Sequence, residues 1–371
     1  MLQRYRIGVI GHTGRGNYGH GLDRVWAAIQ SCDVVAVADP DPKGRADAAN
    51  RTGARQAFAD YRQMLDQVPL DIVAIAPRWI DQHRDMCVEA AERGIHIYLE
   101  KPMCRTPQEA DDIVRACERH GVKLAIAFQT RYSPKLPIIR ELIAEGAIGR
   151  LLEIRARGKE DHRGGGEDLW VLGSHLMNLI HVFAGEPQWC FASVLVHGRP
   201  ATAADVVEGN EGIGPLVGDA VHAFWQMAGS VAAYFDSIRH ARGRRFGLRL
   251  YGSEGVIELT TGYLPAAYWL PEPTWSPGRS GKRWIAISSN GPNKPEPLRD
   301  GGLHAGNILA VQDLIEAIEN DRQPEANVYE ARMTVEMIAS VFQSHVLQRP
   351  VTLPLKHRGA FTELRWNPGQ V

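Results

Sequence analysis

The sequence predicts an α/β chain in two parts, a doubly wound parallel sheet followed by a second, largely antiparallel sheet. Three observations carry this. A β-branched run leads straight into a glycine-rich loop at the start (RIGVIGHTGRGNYGHGL, residues 6–22). Apolar runs and helical repeats then alternate as far as residue 128. Beyond that point the rhythm changes to short strand-like runs separated by glycines.

Taken in order, residues 6–10 are apolar and β-branched, as a buried strand requires. Leu22, Val25, Trp26 and Ile29 follow the glycines at helical spacing, which predicts a helix. Further strands are expected at 34–38, near Ala57, and at 70–76, 95–100 and 123–128. Helices are expected at 61–67, 82–93 and 107–120, the last two ending at Gly94 and Gly121. This first part closes near residue 125. After it come a helix in KLPIIRELIAEGAIG and an alternating strand in RLLEIRARG. Strand-like runs recur at 191–196, 221–225, 229–236, 246–251 and 256–259. Residues 262–302 are rich in Pro, Gly, Ser and Trp and read as an irregular excursion. Amphipathic helices are expected at 308–320 and 328–347.

With 371 residues the chain can hold two domains and a sizeable core. Its composition, 44% apolar and 23% charged with a net charge of −1, gives no global pull toward nucleic acid or anionic membranes. Cys32, Cys87, Cys104, Cys117 and Cys190 are odd in number and scattered. That argues against a disulfide framework or a zinc site and fits a reducing compartment. No signal-like start and no run of 18 apolar residues is present, so a cytoplasmic protein without a membrane span is expected.

Strand, glycine loop, helix is the context of the dinucleotide fingerprint, which makes the first part a Rossmann domain. Gly11 and Gly16 fit the G-x-G-x-x-G register, but Thr13 stands at the second glycine. Either Gly14 takes over the close approach to pyrophosphate, or the Thr13 hydroxyl donates to a phosphate. His12 and Arg15 complete the expected cofactor loop, and the helix amino terminus behind it would add N–H groups and a dipole. Asp39 ends the second strand, where a carboxylate accepts the adenosine ribose hydroxyls and repels a 2′-phosphate. NAD is therefore expected over NADP, with Lys43 and Arg45 nearby as the counterargument. A flexible loop and an Asp-Pro turn are the ordinary alternatives.

The stretch YLEKP places Glu100, Lys101 and Pro102 after the fifth strand, where doubly wound sheets bind ligands. Lys101 would point to the nicotinamide half. Desolvated there, it would have a lowered pKa and could shuttle a proton at a substrate hydroxyl. A surface Lys–Glu pair is the plain alternative. In GGGEDLWVLGSHLMNLIHVFAG, a helix starting near Asp168 puts Asp168, Val171, His175 and Asn178 on one face. His175 can take and hold a proton at neutral pH, or it can be a satisfied structural histidine. Residues 164–166 form a mobile lip or simply a loop. His181 lies off the His175 face and makes a poor metal pair with it, so no metal is expected. Arg131 and Tyr132 follow the sixth strand and either line a cleft or form a linking turn. Lys159, Asp161, His162 and Arg163 bind hydroxyls or belong to a solvated loop. The basic run RHARGRR (residues 239–245) could meet an anionic substituent. His304 and Asn307 head a late helix and could face the cleft.

The glycine-rich start, the acidic end of strand two, EKP after strand five and GSH in the second part together resemble the Gfo/Idh/MocA family. PRWIDQHRDMCVEAAERGIHIYLEKP and YGSEGVIEL are similar to its other characteristic segments. The resemblance implies a Rossmann domain over 1–125 and a substrate and oligomerisation domain with an open, mostly antiparallel sheet over 126–371. It implies hydride transfer between NAD(P) and a sugar, sugar derivative or cyclic polyol. Lys101 and His175 are the matching proton-handling residues, and Pro77, His83 and Glu100 join the cofactor contacts. The Lys101–Pro102 bond is expected to be cis. Many relatives carry acids where this chain has Val171 and Asn178, so Asp168 is expected to replace the carboxylate and Asn178 to bind a hydroxyl. Two further readings stand beside a plain dehydrogenase. One is redox-neutral glycoside cleavage with recycled NAD, and the other is a non-catalytic NAD-bound sensor. The expected partners are a small carbohydrate-like substrate, with an anionic group as one option, and further copies of the chain as a dimer or tetramer.

Overall fold

Strands β1 (Tyr5–Ile10), β2 (Cys32–Ala38), β3 (Gln56–Phe58), β4 (Ile72–Ile75), β5 (His96–Leu99) and β6 (Leu124–Ile126) pair in parallel in the order β3-β2-β1-β4-β5-β6. Residues 4–241 and 246–366 are described by this computed structural model. β1 and β4 are almost continuously buried, which is why their sequences are apolar runs rather than alternations. The register sets Ile10 against Ala38 and Ile75, and Ile75 against Leu99, so the loops after β1, β2, β4 and β5 leave the sheet along one edge.

Helices α2 (Tyr61–Gln67) and α4 (Pro107–His120) have the expected bounds, and α3 (His83–Glu92) lies within its expected span. Thr106 caps α4 by accepting from the Glu109 N–H, and Gly121 closes it in the left-handed conformation. Two local expectations are corrected. A helix not foreseen, α1 (Pro42–Thr52), follows β2, capped by Asp41 and ended by Gly53. The helix expected directly after the glycine loop is instead a 3-10 turn at Val25–Ala28. Gly19 and Gly21 take φ of +53° and +84°, so the loop runs on past the place where a helix would start.

Contacts divide the chain into two compact units. The first holds residues 1–129 together with 210–214 and 303–335, so the whole of the late helix α9 (Leu303–Glu319, after the elements named below) belongs to it. It packs on the 3-10 turn and on β6, and buries Ala310, Val311, Leu314 and Ile315.

The second unit is built on an eleven-stranded sheet. Its helices are α5 (Lys135–Ala144), α6 (Gly166–Val171), α7 (Gly173–Ala184), the short α8 (Pro277–Ser280) and the carboxyl half of α10 (Val328–Leu347). Its long strands are β7 (Leu151–Arg157) and β8 (Pro187–Val196). The short β9 (Arg199–Pro200) and the separate hairpin β10 (Val207–Glu208) and β11 (Pro215–Leu216) follow. Then come β12 (Ala220–Met227), β13 (Ala232–Ile238), β14 (Gly247–Gly252), β15 (Val256–Thr260), β16 (Ala267–Leu270), β17 (Ile285–Ser288), β18 (Gly291–Pro292) and β19 (Val351–Thr352). The path is β18-β17-β16-β15-β14-β7-β13-β12-β8-β19, with β9 on β8. β7 and β13 run parallel, and the other strand pairs of this sheet among the described residues are antiparallel. Residues 262–302 are thus not wholly irregular, because β16, β17 and β18 extend the sheet edge. β13 alternates strictly, and β12 does so from Val221 onward. Trp225 and Phe235 point into the core, and the Trp225 indole donates to Ser340 on α10. Phe224 and Tyr234 meet in a tilted ring contact on the opposite face.

Candidate functional site

In the first unit the fingerprint loop is held by Asp39. This carboxylate is fully buried. The Thr13 N–H lies 3.1 Å from each of its oxygens, the Thr13 hydroxyl donates to Oδ2 at 2.7 Å, and the Asp41 N–H donates to Oδ1 at 3.0 Å. The Thr13 hydroxyl is therefore turned to Asp39. Gly16 carries the close approach within the loop. It has φ of +87°, and a Cβ there would sit 2.4 Å from the Arg78 backbone nitrogen. Gly11 lies under the Tyr18 ring, where a Cβ would sit 2.2 Å from the ring carbons and clash, while at Gly14 a Cβ would meet open space. His12 meets Gln82 at 3.2 Å through its Nδ1. Arg15 pairs with Asp81 at 2.5 Å and lies over the Trp79 ring, yet its Nε is buried with no hydrogen-bond partner. A cavity is lined by Gly11, His12, Asp39 and Pro40 together with Tyr61, Gln82 and Met86. Lys43 is paired with Asp47, and Arg45 donates to the Asp39 carbonyl at 2.6 Å.

The end of β5 forms a second focus of the same unit. Glu100 and Lys101 are buried, and the Lys101–Pro102 bond is cis, as expected. His20, from the glycine loop, meets Glu100 at 2.6 Å, while the other Glu100 oxygen has no hydrogen-bond partner. Burial pushes Glu100 up, but His20 and then Lys101 and His83 hold it below the usual carboxylate value. His83 is fully buried, with its ring nitrogens 3.0 Å from the Pro102 carbonyl and 2.8 Å from that of Pro77. Burial lowers its pKa against the pull of those two carbonyls. A neutral ring has one N–H for two acceptors. His83 thus ties the loop after β4 to the loop after β5. Asn307, on α9, donates to the His20 carbonyl and accepts from the Tyr98 hydroxyl at 2.9 Å. His304 lies one turn earlier and is exposed.

In the second unit, Asp168 does not start one long helix through Asn178. The helix breaks at Leu172 (φ −118°, ψ −39°), leaving Asp168 on α6 and His175 and Asn178 on α7. Asp168 is fully buried. Its Oδ2 accepts from the Ser237 hydroxyl at 2.5 Å and from the Glu160 N–H at 3.1 Å, and its Oδ1 has no hydrogen-bond partner. Burial raises its pKa, partly offset by Ser237 and Glu160. Residues 164–166 are wedged rather than lip-like. A Cβ on Gly164 would meet Arg239 Cα at 2.3 Å, and one on Gly165 the Gly218 carbonyl oxygen at 2.5 Å. His175 is half-buried and Asn178 buried. On the loop before α6, Arg163 holds the Asp161 carboxyl well below its usual range, and Lys159 sits 3.5 Å from it. His162 is exposed. Arg131 and the buried Tyr132 lie on the turn Gln129–Tyr132. Within the basic run 239–245, residues 242–245 lie outside the described residues. Among the described residues no His/Cys/Asp/Glu group could hold a metal, and no helix is long and apolar enough to cross a membrane.

Two family models match the chain. The model described as "Oxidoreductase family, NAD-binding Rossmann fold" matches residues 5–128, and the "GFO/IDH/MocA C-terminal domain" matches residues 138–258. The chain belongs to the Gfo/Idh/MocA oxidoreductase family. Levoglucosan dehydrogenase of Pseudarthrobacter phenanthrenivorans is 29% identical over 289 residues, covering 69% of this chain and 73% of that protein. D-apiose dehydrogenase of Paraburkholderia graminis is 30% identical over 148 residues, 40% of this chain and 38% of that one. Among solved structures, levoglucosan dehydrogenase in complex with NADH and levoglucosan superposes with a TM-score of 0.77 at 21% identity, covering 95% of this chain and all of the other.

As a Gfo/Idh/MocA protein the chain has an NAD-binding Rossmann domain, and its residues fit that group. The buried Arg15 Nε lacks an acceptor on the very loop that would meet a pyrophosphate. Gly14 leaves open space at the turn, and the cavity beside Gly11 and His12 suits an adenosine. Sequence reasoning missed His20. It belongs to the same glycine-rich stretch, but its partner Glu100 is 80 residues away, and nothing local signals the pairing.

Proposed function

We propose that the protein is an NAD-dependent dehydrogenase that oxidises a hydroxyl of a sugar, sugar derivative or cyclic polyol. Family membership carries the reaction class. The observation that supports Lys101 as its proton carrier is a buried lysine directly after β5, beside the buried Glu100, in the NAD-binding unit. When bound, NAD accepts the hydride. Lys101 takes the proton of the substrate hydroxyl, and Glu100, paired with His20, keeps charge balanced beside it. His175 shares the proton handling, Asn178 binds a neighbouring hydroxyl, and Asp168 fixes the turn into α6 through Ser237. Arg131, Tyr132, Lys159, His162 and His304 are proposed as lesser hydroxyl contacts. Gly11, His12, Gly14, Arg15, Gly16 and Pro77 contact the cofactor, and His83 positions the two loops it joins. NAD is favoured over NADP because Lys43 and Arg45 are already engaged. Five buried, unlinked cysteines fit a cytoplasmic setting. A row of aromatic rings in tilted contact on the sheet face (Trp189, Phe224, Tyr234) supports self-association.

A panel of free sugars, polyols and glycosides, incubated with the chain and NAD+, tests this through NADH absorbance and free-sugar release. Stoichiometric NADH is the expected result. Sugar release without net NADH would establish redox-neutral glycoside cleavage instead. Ligand response without either would establish a sensor.

A further inference from the structure

The glycine-loop threonine has a counterpart in α1. Gly44 is buried in the first turn of that helix. A Cβ there would lie 1.9 Å from Thr13 Oγ1, 2.6 Å from Thr13 Cβ and 3.0 Å from Asp39 Oδ2. Thr13 therefore fills a notch that Gly44 leaves in α1, directly above the carboxylate. The backbone and hydroxyl donors lining this notch are engaged within it. The Thr13 N–H and hydroxyl go to Asp39, the Gly44 N–H goes to Asp41 at 2.6 Å, and Arg45 goes to the Asp39 and Pro40 carbonyls. A dianion placed here would meet the Asp39 carboxylate and a space already filled by the Thr13 side chain.

We propose that Thr13 and Gly44 act as a pair that sets cofactor choice, with Thr13 filling the space beside Asp39 that a 2′-phosphate would need. This rests on NAD binding by the first unit. Threonine replaces the usual fingerprint glycine here because Gly44 gives its side chain room and Asp39 takes its hydroxyl. The usual acidic signal at Asp39 is thereby reinforced from the opposite side.

Calorimetric titration of the full chain with NAD+ and with NADP+ tests the pair. Thr13→Gly should lower the NAD+/NADP+ affinity ratio at least about fivefold, and Thr13→Ser, which keeps the hydroxyl, should hold it within about twofold. Gly44→Ala should weaken NAD+ binding in the wild-type background and cost far less in the Thr13→Gly background, because the notch is then empty. A ratio unchanged in Thr13→Gly, a ratio lost in Thr13→Ser, or equal Gly44→Ala costs in both backgrounds would overturn the proposal. If the wild-type chain binds neither dinucleotide, the NAD reading itself falls, and the pair with it.

Discussion

Asp39 and Asp168 are both fully buried carboxylates, one in each unit, and they are treated in opposite ways. Asp39 receives donors on both oxygens, from Thr13 and Asp41. Asp168 receives donors on Oδ2 alone, and its pKa rises under desolvation. Equal burial is thus met by different donor sets in the two units. The first unit spends its polar groups on one another to make a fixed cradle. The second keeps a buried acceptor in reserve next to a tightly wedged glycine turn.

The contrast can be broken or sharpened at several points. The largest effect is expected at Lys101. Lys101→Ala should lower turnover by about 10²–10⁴-fold while NAD+ affinity measured by titration barely moves. Next come two glycines with left-handed backbones, one per unit. Gly16→Ala and Gly165→Ala should each lower the denaturant midpoint, by about 1–3 kcal/mol or more of stability. Only Gly16→Ala should also weaken NAD+ binding, since its new Cβ strikes Arg78. Equal loss of NAD+ affinity in both variants would erase the distinction between the units.

A smaller effect is expected from Asp168. The folded chain holds its proton more tightly than the unfolded chain does. Its contribution to stability is therefore full at low pH and falls as pH climbs from the ordinary carboxylate value through the raised one. Asp168→Asn should flatten that part of the stability–pH curve, measured by urea unfolding across pH 3 to 8, a range of about five units around the carboxylate region. Smallest of all is Lys43→Ala. With Lys43 exposed and paired only to Asp47, the NAD+/NADP+ preference should stay as it was.

Much of this architecture was legible because burial imposes a period. β1 and β4 read as apolar runs, and α2, α4 and α10 follow the 3.6-residue repeat to their exact ends. α1 escaped because its buried face is only Gly44 and Ala48, although Asp41 and Gly53 mark its ends. The helix anticipated over Leu22, Val25, Trp26 and Ile29 was misread for the opposite reason. Those residues are buried from a turn, and burial mimics amphipathicity over so short a stretch. The break at Leu172 was hidden because α6 is buried throughout and gives no phase to follow. At the site, EKP and the glycine loop announced themselves by residue type. The tie from Asn307 to His20 spans 287 residues, and only the folded chain brings them together.

The six strands of the first sheet are complete by Ile126, yet the helix that buries part of its flank begins at Leu303. On the ribosome, the first unit must therefore wait, with Tyr98 and the 3-10 turn uncovered, until most of the second unit has been translated. A fragment ending at residue 129 would leave the Tyr98 hydroxyl without Asn307, so early release of the nascent chain would yield an aggregation-prone sheet with an uncovered flank rather than a free-standing nucleotide module.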